Sequence, residues 1–120
     1  MPQESGSVNP TREALVRVRF THGESFEFLI DTGFDGALML PAISARRLGL
    51  RSVGRLAFDL VGGNRIRADV ALAEVKWLGE RRNVEVVMNE GSDFLIGTEL
   101  FEGAKLVIDY ANRLVTVSCD

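Results

Sequence analysis

Phe28-Leu29-Ile30-Asp31-Thr32-Gly33 is the stretch on which the reading of this chain turns. Its three leading apolar residues fit a strand buried on both faces. Gly33 marks a sharp turn or a close approach of backbone. An acid carried from a buried strand into a tight loop loses part of its hydration. Partly desolvated carboxyls are candidates for proton chemistry.

Strand signals surround this stretch. Upstream, Leu15-Val16-Arg17-Val18-Arg19-Phe20 alternates apolar and basic residues, and Thr21-His22-Gly23-Glu24 reads as the hairpin turn leading into Phe26–Ile30. Downstream, a glycine-rich break at 33–36 leads to a short apolar strand, Ala37-Leu38-Met39-Leu40. Pro41 to Gly49 carries the clearest helix signal, with Pro in the first turn, Arg46 and Arg47 near the C-terminal end, and Gly as the stop. Strands are expected at 53–60 and 65–77 around the turn Val61-Gly62-Gly63-Asn64, then at 83–88 and 94–96. A second short helix is expected near 98–102, followed by a last hairpin, 105–109 with 114–118. Many short strands with turns every ~8–12 residues indicate an all-β chain folded as a small barrel or sandwich.

The length of 120 residues suits one domain. Residues 1–12 are polar and contain Pro, Gly and Ser, so they read as a flexible N-terminal tail preceding a single domain at 13–120. A formal net charge of −3 gives no basic excess for nucleic acid, and Arg46-Arg47 and Arg81-Arg82 read as solvated faces. The single cysteine, Cys119, and the single histidine, His22, are too few for a zinc site and unsuited to a Cys/His nucleophile pair. No metal or other cofactor is expected. A lone thiol fits a reducing compartment. The first residues carry no apolar leader, and no apolar run reaches the ~20 residues of a membrane helix, so a soluble, cytoplasmic protein with no membrane contact is expected. Asp31 to Gly36 also fails as a calcium loop. Its third place holds Gly33 where an acid is needed, and its twelfth is Ala42 rather than Glu. A phosphoryl-transfer aspartate would require an α/β chain richer in helices.

Leu29-Ile30-Asp31-Thr32-Gly33-Phe34-Asp35-Gly36-Ala37-Leu38 resembles the active-site segment of retropepsins, the single-lobe aspartic peptidases. Leu38-Met39-Leu40-Pro41 resembles the continuation found in bacterial and archaeal members, and Phe94-Leu95-Ile96-Gly97-Thr98-Glu99-Leu100 resembles their second signature, an apolar pair, a glycine and a short helix. Asp-Thr-Gly alone is weak, whereas the linked segments are specific. The resemblance covers about residues 14–118 and implies a retropepsin-like closed β-barrel, the acid protease fold, with one or two short helices. It implies Asp31 as catalytic, Thr32 and Gly33 as the active-site loop, Phe34 and Asp35 as substrate-binding, Gly62 and Gly63 as the tip of a flap over 58–66, and Leu95, Ile96 and Gly97 as the supporting loop. Two departures bear on substrate preference. Phe34 stands where Ala or Ser is common, and its ring is expected to narrow the cleft. Thr98 stands where viral members carry an Arg that pairs with the acid at the place of Asp35.

Aspartic peptidases work with two carboxyls that share one proton, since both cannot easily ionise together. This sequence has one Asp-Thr-Gly, so the resemblance implies a homodimer in which a two-fold axis supplies the second Asp31. The implied activity is endopeptidase cleavage of extended peptides or proteins. The alternative is a weakly active or inactive module that binds peptide by strand addition or serves dimerisation. In the family, terminal strands interleave between protomers, which is expected here for 114–118.

Overall fold

The computed structural model describes residues 2–59, 62–63 and 65–119. Ten strands make up most of it: β1 (Gln3–Val8), β2 (Ala14–Phe20), β3 (Ser25–Ile30), β4 (Leu38–Pro41), β5 (Ser52–Asp59), β6 (Arg65–Trp77), β7 (Glu80–Asn89), β8 (Leu95–Ile96), β9 (Lys105–Asp109) and β10 (Leu114–Ser118). One α-helix, α1 (Ala42–Arg47), follows β4, and a 3-10 helix spans Thr98–Phe101.

The strands pair in the order β5-β6-β7-β4-β8-β3-β2-β1-β10-β9, and β6 pairs again with β2. That extra pairing, Arg19 with Lys76 and Phe20 with Val75, closes β2, β3, β8, β4, β7 and β6 into a ring. The ring is the barrel implied by the sequence, and its inside explains the alternation of the strands. Val16, Val18 and Phe20 of β2 point inward with Ala71, Ala73, Val75 and Trp77 of β6 and Val84, Val86 and Met88 of β7. Each large side chain buried this way contributes about 1.5–3 kcal/mol. Trp77 is fully buried, and its indole N–H donates to the Leu100 carbonyl at 2.9 Å, tying the 3-10 helix to the barrel.

Pro41 ends β4 and caps α1 with an extended backbone (φ −58°, ψ 139°), and Arg46 and Arg47 occupy the last turn. A two-residue turn at Leu78 and Gly79 (φ 52° and 80°) joins β6 to β7, so β7 starts at Glu80, three residues before the sequence indicates.

Two expectations are corrected here. Residues 3–8 are not a loose tail but the strand β1, paired with both β10 and β2. Their polarity conceals the strand because its stability comes from two flanking backbone ladders rather than from an apolar face. At Gly6 the strand crosses so near the Leu15 carbonyl that a β-carbon would overlap it. In consequence β10 is not a free terminal edge awaiting a second chain. It lies between β1 and β9 of its own chain, and the sheet ends are β5 and β9.

Candidate active site

Asp31 is the first residue beyond β3. Its neighbour β8 fixes that strand end. β8 runs parallel to it, with Leu95 beside Leu29 and Ile96 beside Ile30, and β4 runs antiparallel on the far side of β8. The Leu29 amide donates to the Phe94 carbonyl at 2.8 Å, and the Asp31 amide to the Ile96 carbonyl at 3.0 Å. Phe94 packs against Phe26 and Phe28, with ring centroids 5.4 Å and 5.7 Å apart, which anchors β8 from behind.

The loop then turns on its own acid. The Gly33 amide donates to Asp31 Oδ1 at 2.9 Å, and the Phe34 amide to the Asp31 carbonyl at 3.1 Å. A carboxylate that accepts a backbone N–H is oriented without a second side chain. Asp31 is half-buried, while Thr32 and Gly33 are exposed at the surface of the loop.

Beneath this loop lies the second signature. The Gly97 amide donates to the Ala37 carbonyl at 2.9 Å, the Thr98 amide to the Phe34 carbonyl at 2.9 Å, and the Glu99 amide to the Gly36 carbonyl at 3.3 Å. A β-carbon on Gly97 would overlap the carbonyl oxygens of both Gly36 and Phe34 and the Phe34 ring. Glycine is therefore required by contact rather than by dihedral angle. One segment thus clamps the loop through three backbone hydrogen bonds and a side-chain-free crossing.

Phe34 does not stand in a cleft. Its side chain is 9% exposed and folds under the loop, against the positions where Gly36 and Gly97 have no side chain. The narrowing expected from this ring is corrected accordingly. Gly36 was not singled out in the sequence, yet its missing side chain makes the room. The pattern Phe-x-Gly before a second, distant glycine is the signal that could have found it.

Thr98 fills the place of the viral Arg differently. Besides its amide, its hydroxyl lies 3.4 Å from the Phe34 carbonyl, so it belongs to the clamp. The Asp35 carboxylate is exposed, and it borders an open depression together with Thr98, Glu99, Phe101 and Glu102. Gly62 and Gly63 sit at the tip of the β5–β6 hairpin with φ of 102° and 83°. Their neighbours in the expected turn, Val61 and Asn64, lie outside the described residues. Among the described residues no cluster of three His, Cys, Asp or Glu side chains is placed to hold a metal ion, and no helix is long and apolar enough to cross a membrane.

Comparison with known proteins places the chain in a family and a fold. Residues 16–100 match the family model described as Aspartyl protease. The chain belongs to that family. An uncharacterized protein of Archaeoglobus fulgidus is 30% identical over 112 residues, spanning 87% of this chain and 85% of its own. The crystal structure of a retropepsin-like aspartic protease from Rickettsia conorii superposes with a TM-score of 0.70 at 18% identity, covering 96% of this chain and 89% of that one. The EIAV protease, in a complex with the inhibitor HBY-793, superposes with a TM-score of 0.63 at 20% identity, covering 82% and 96%. At such identities the structural likeness speaks for the fold, which is retropepsin-like. The aspartyl protease family match runs from β2 to the 3-10 helix, so it includes both the Asp31 loop and its clamp.

Proposed function

We propose that this protein is an aspartic endopeptidase that acts as a homodimer, with Asp31 of each copy contributing one carboxyl to a shared site. One observation carries the reading. The Asp31 loop is fixed from below by Ile96, Gly97 and Thr98, while Thr32 and Gly33 stay open to solvent above. A loop held this firmly, in a chain with a single Asp-Thr-Gly, has the form of half a site that a second copy would complete.

The chemistry follows from the pair. One ionised Asp31 takes a proton from a water molecule, and the water oxygen attacks the peptide carbonyl carbon. The other Asp31, protonated, donates to the carbonyl oxygen as it gains charge. The tetrahedral adduct collapses when the amide nitrogen receives a proton and the C–N bond breaks, giving a carboxyl and an amine. The Gly33 amide on Oδ1 keeps each carboxylate pointed at its work. In this reading the β5–β6 hairpin covers extended substrate, with Gly62 and Gly63 at its tip.

A Phe34 ring that obstructed the cleft would favour the alternative, a binding-only module. The ring is buried instead, so it lends that reading no support. A peptide library assayed between about pH 3 and pH 7 should show cleavage fastest in acid, because one carboxyl of the pair must stay protonated. Asp31→Asn should lower the rate by about 10²–10⁴-fold without unfolding the chain. Cleavage that persists in Asp31→Asn would remove Asp31 from the mechanism.

A further inference from the structure

On the outside of the barrel, three strands place three cations side by side. Arg19 of β2 is the register partner of Lys76 of β6, and Lys76 is the register partner of Arg81 of β7. Neighbouring strands lie about 4.8 Å apart, so the row spans ~10 Å. Like charges directly opposite in a sheet are destabilising. All three side chains are exposed, and among the described residues none of them forms an ion pair.

The row also lines a cavity. β1 pairs with β2 only from Gly6 to Val8 and then peels away, while β6 joins β2 at Arg19 and Phe20. The fork between β1 and the β6–β7 hairpin encloses about 520 Å3. Its walls are Arg17, Arg19, Lys76 and Arg81, with Glu4, Glu80, Ser5 and Gly79. Among the described residues neither wall acid forms an ion pair with the row. Glu4 is turned to the hairpin, where its Oε2 accepts from the Leu78 amide at 2.9 Å, and Glu80 is exposed at the hairpin end, the register partner of Trp77. Arg17 donates to Ser25 Oγ at 3.3 Å and has Glu27 as its register partner.

We infer that this fork is a binding site for a phosphate-bearing ligand, separate from the Asp31 loop, with Arg19, Lys76 and Arg81 as its cationic floor. An anion carrying two or more charges relieves the repulsion along the row and gains charge-assisted hydrogen bonds from all three side chains. The site stands out in a chain whose net charge is −3. It also gives a use to Arg81, which the sequence alone presents as part of a solvated face.

The test is calorimetric titration of the intact protein with inorganic pyrophosphate, a phosphoserine peptide and acetate at matched ionic strength. Pyrophosphate or the phosphopeptide should bind far more tightly than acetate. The tighter of the two assigns the phosphate to a free small molecule or to a protein side chain, and either result supports the site. Lys76→Gln should weaken that binding by at least about tenfold. The same variant without ligand should melt no lower than wild type at low salt, because it relieves the row. Arg81→Gln serves as the second variant and should lose affinity similarly. Phosphate-bearing probes that bind no better than acetate, or affinities unchanged in both variants, overturn the proposal.

Discussion

At the scale of single residues, the site depends on what is missing from Gly97 as much as on what Asp31 carries. Replacing Gly97 by Ala forces a methyl into two carbonyl oxygens, neither of which can move without breaking the clamp. Overpacking of this kind typically costs ~1–3 kcal/mol. Gly97→Ala should therefore lower the melting temperature and loosen the Asp31 loop together, seen as faster exchange of the Asp31 and Thr98 amides. A melting curve matching wild type would show that the crossing has slack. The two motif glycines and Asp31 were legible in the sequence because residue type and spacing carry the information. The direction of the Phe34 ring was not. Nothing local sets it. The room comes from Gly36 and Gly97, one of them 63 positions away in the chain and reached only after folding.

At the scale of elements, the strands of the barrel were readable from their alternation, since burial on one side writes a period of two into β2, β6 and β7. β1 escaped because Gln3-Glu4-Ser5-Gly6-Ser7 has no such period. Its hold on the molecule is polar, and Glu4 makes this testable. The Leu78 amide that it accepts from sits at a part-buried turn with φ of 52°, so Glu4→Ala leaves that N–H without its charged partner. Such a loss costs about 1–3 kcal/mol. Glu4→Ala should melt several degrees lower, and Glu4→Gln, which keeps an acceptor, should recover most of the difference; equal melting of all three proteins would deny the latch. The β9–β10 turn has its own lever. The Asn112 side-chain amide (2.8 Å) and then its backbone amide (3.0 Å) hold the Asp109 carboxyl below its ordinary value of 3.8. Because the folded value is the lower one, the unfolded chain takes up the proton first on acidification. This contribution is complete above the ordinary value and is lost as pH falls through the depressed one. Asp109→Asn should therefore flatten part of the fall in melting temperature below about pH 4. Parallel wild-type and variant curves in that window would refute the assignment.

At the scale of the whole molecule, the order of strands changes what a dimer must look like. The terminal strand β10 already has a neighbour on each side within its own chain, so a partner cannot dock by inserting between β1 and β9. A stable interface needs about 1,000 Å2 or more. In the proposed dimer the loop end of the barrel, where Thr32 and Gly33 are exposed, is the surface that would meet the partner's Asp31 loop. The barrel itself could be read from the sequence as a family likeness, but this arrangement could not, because pairing partners far apart in the chain leave no local signature. The dimer hypothesis has a test that does not depend on where the interface lies. If each site takes one Asp31 from each copy, a mixed dimer with one Asp31→Asn subunit has a single carboxyl and cannot share a proton. Co-refolding wild type with an equal amount of Asp31→Asn leaves about a quarter of the dimers wild type on both sides. The activity of a fixed quantity of wild-type chain should then fall to about half, and should keep falling as more variant is added. Sedimentation of the same mixtures should show one dimeric species. Wild-type activity that is indifferent to the variant, after refolding together, would mean that a single chain completes its own site, and the half-site reading of Asp31 would have to be given up.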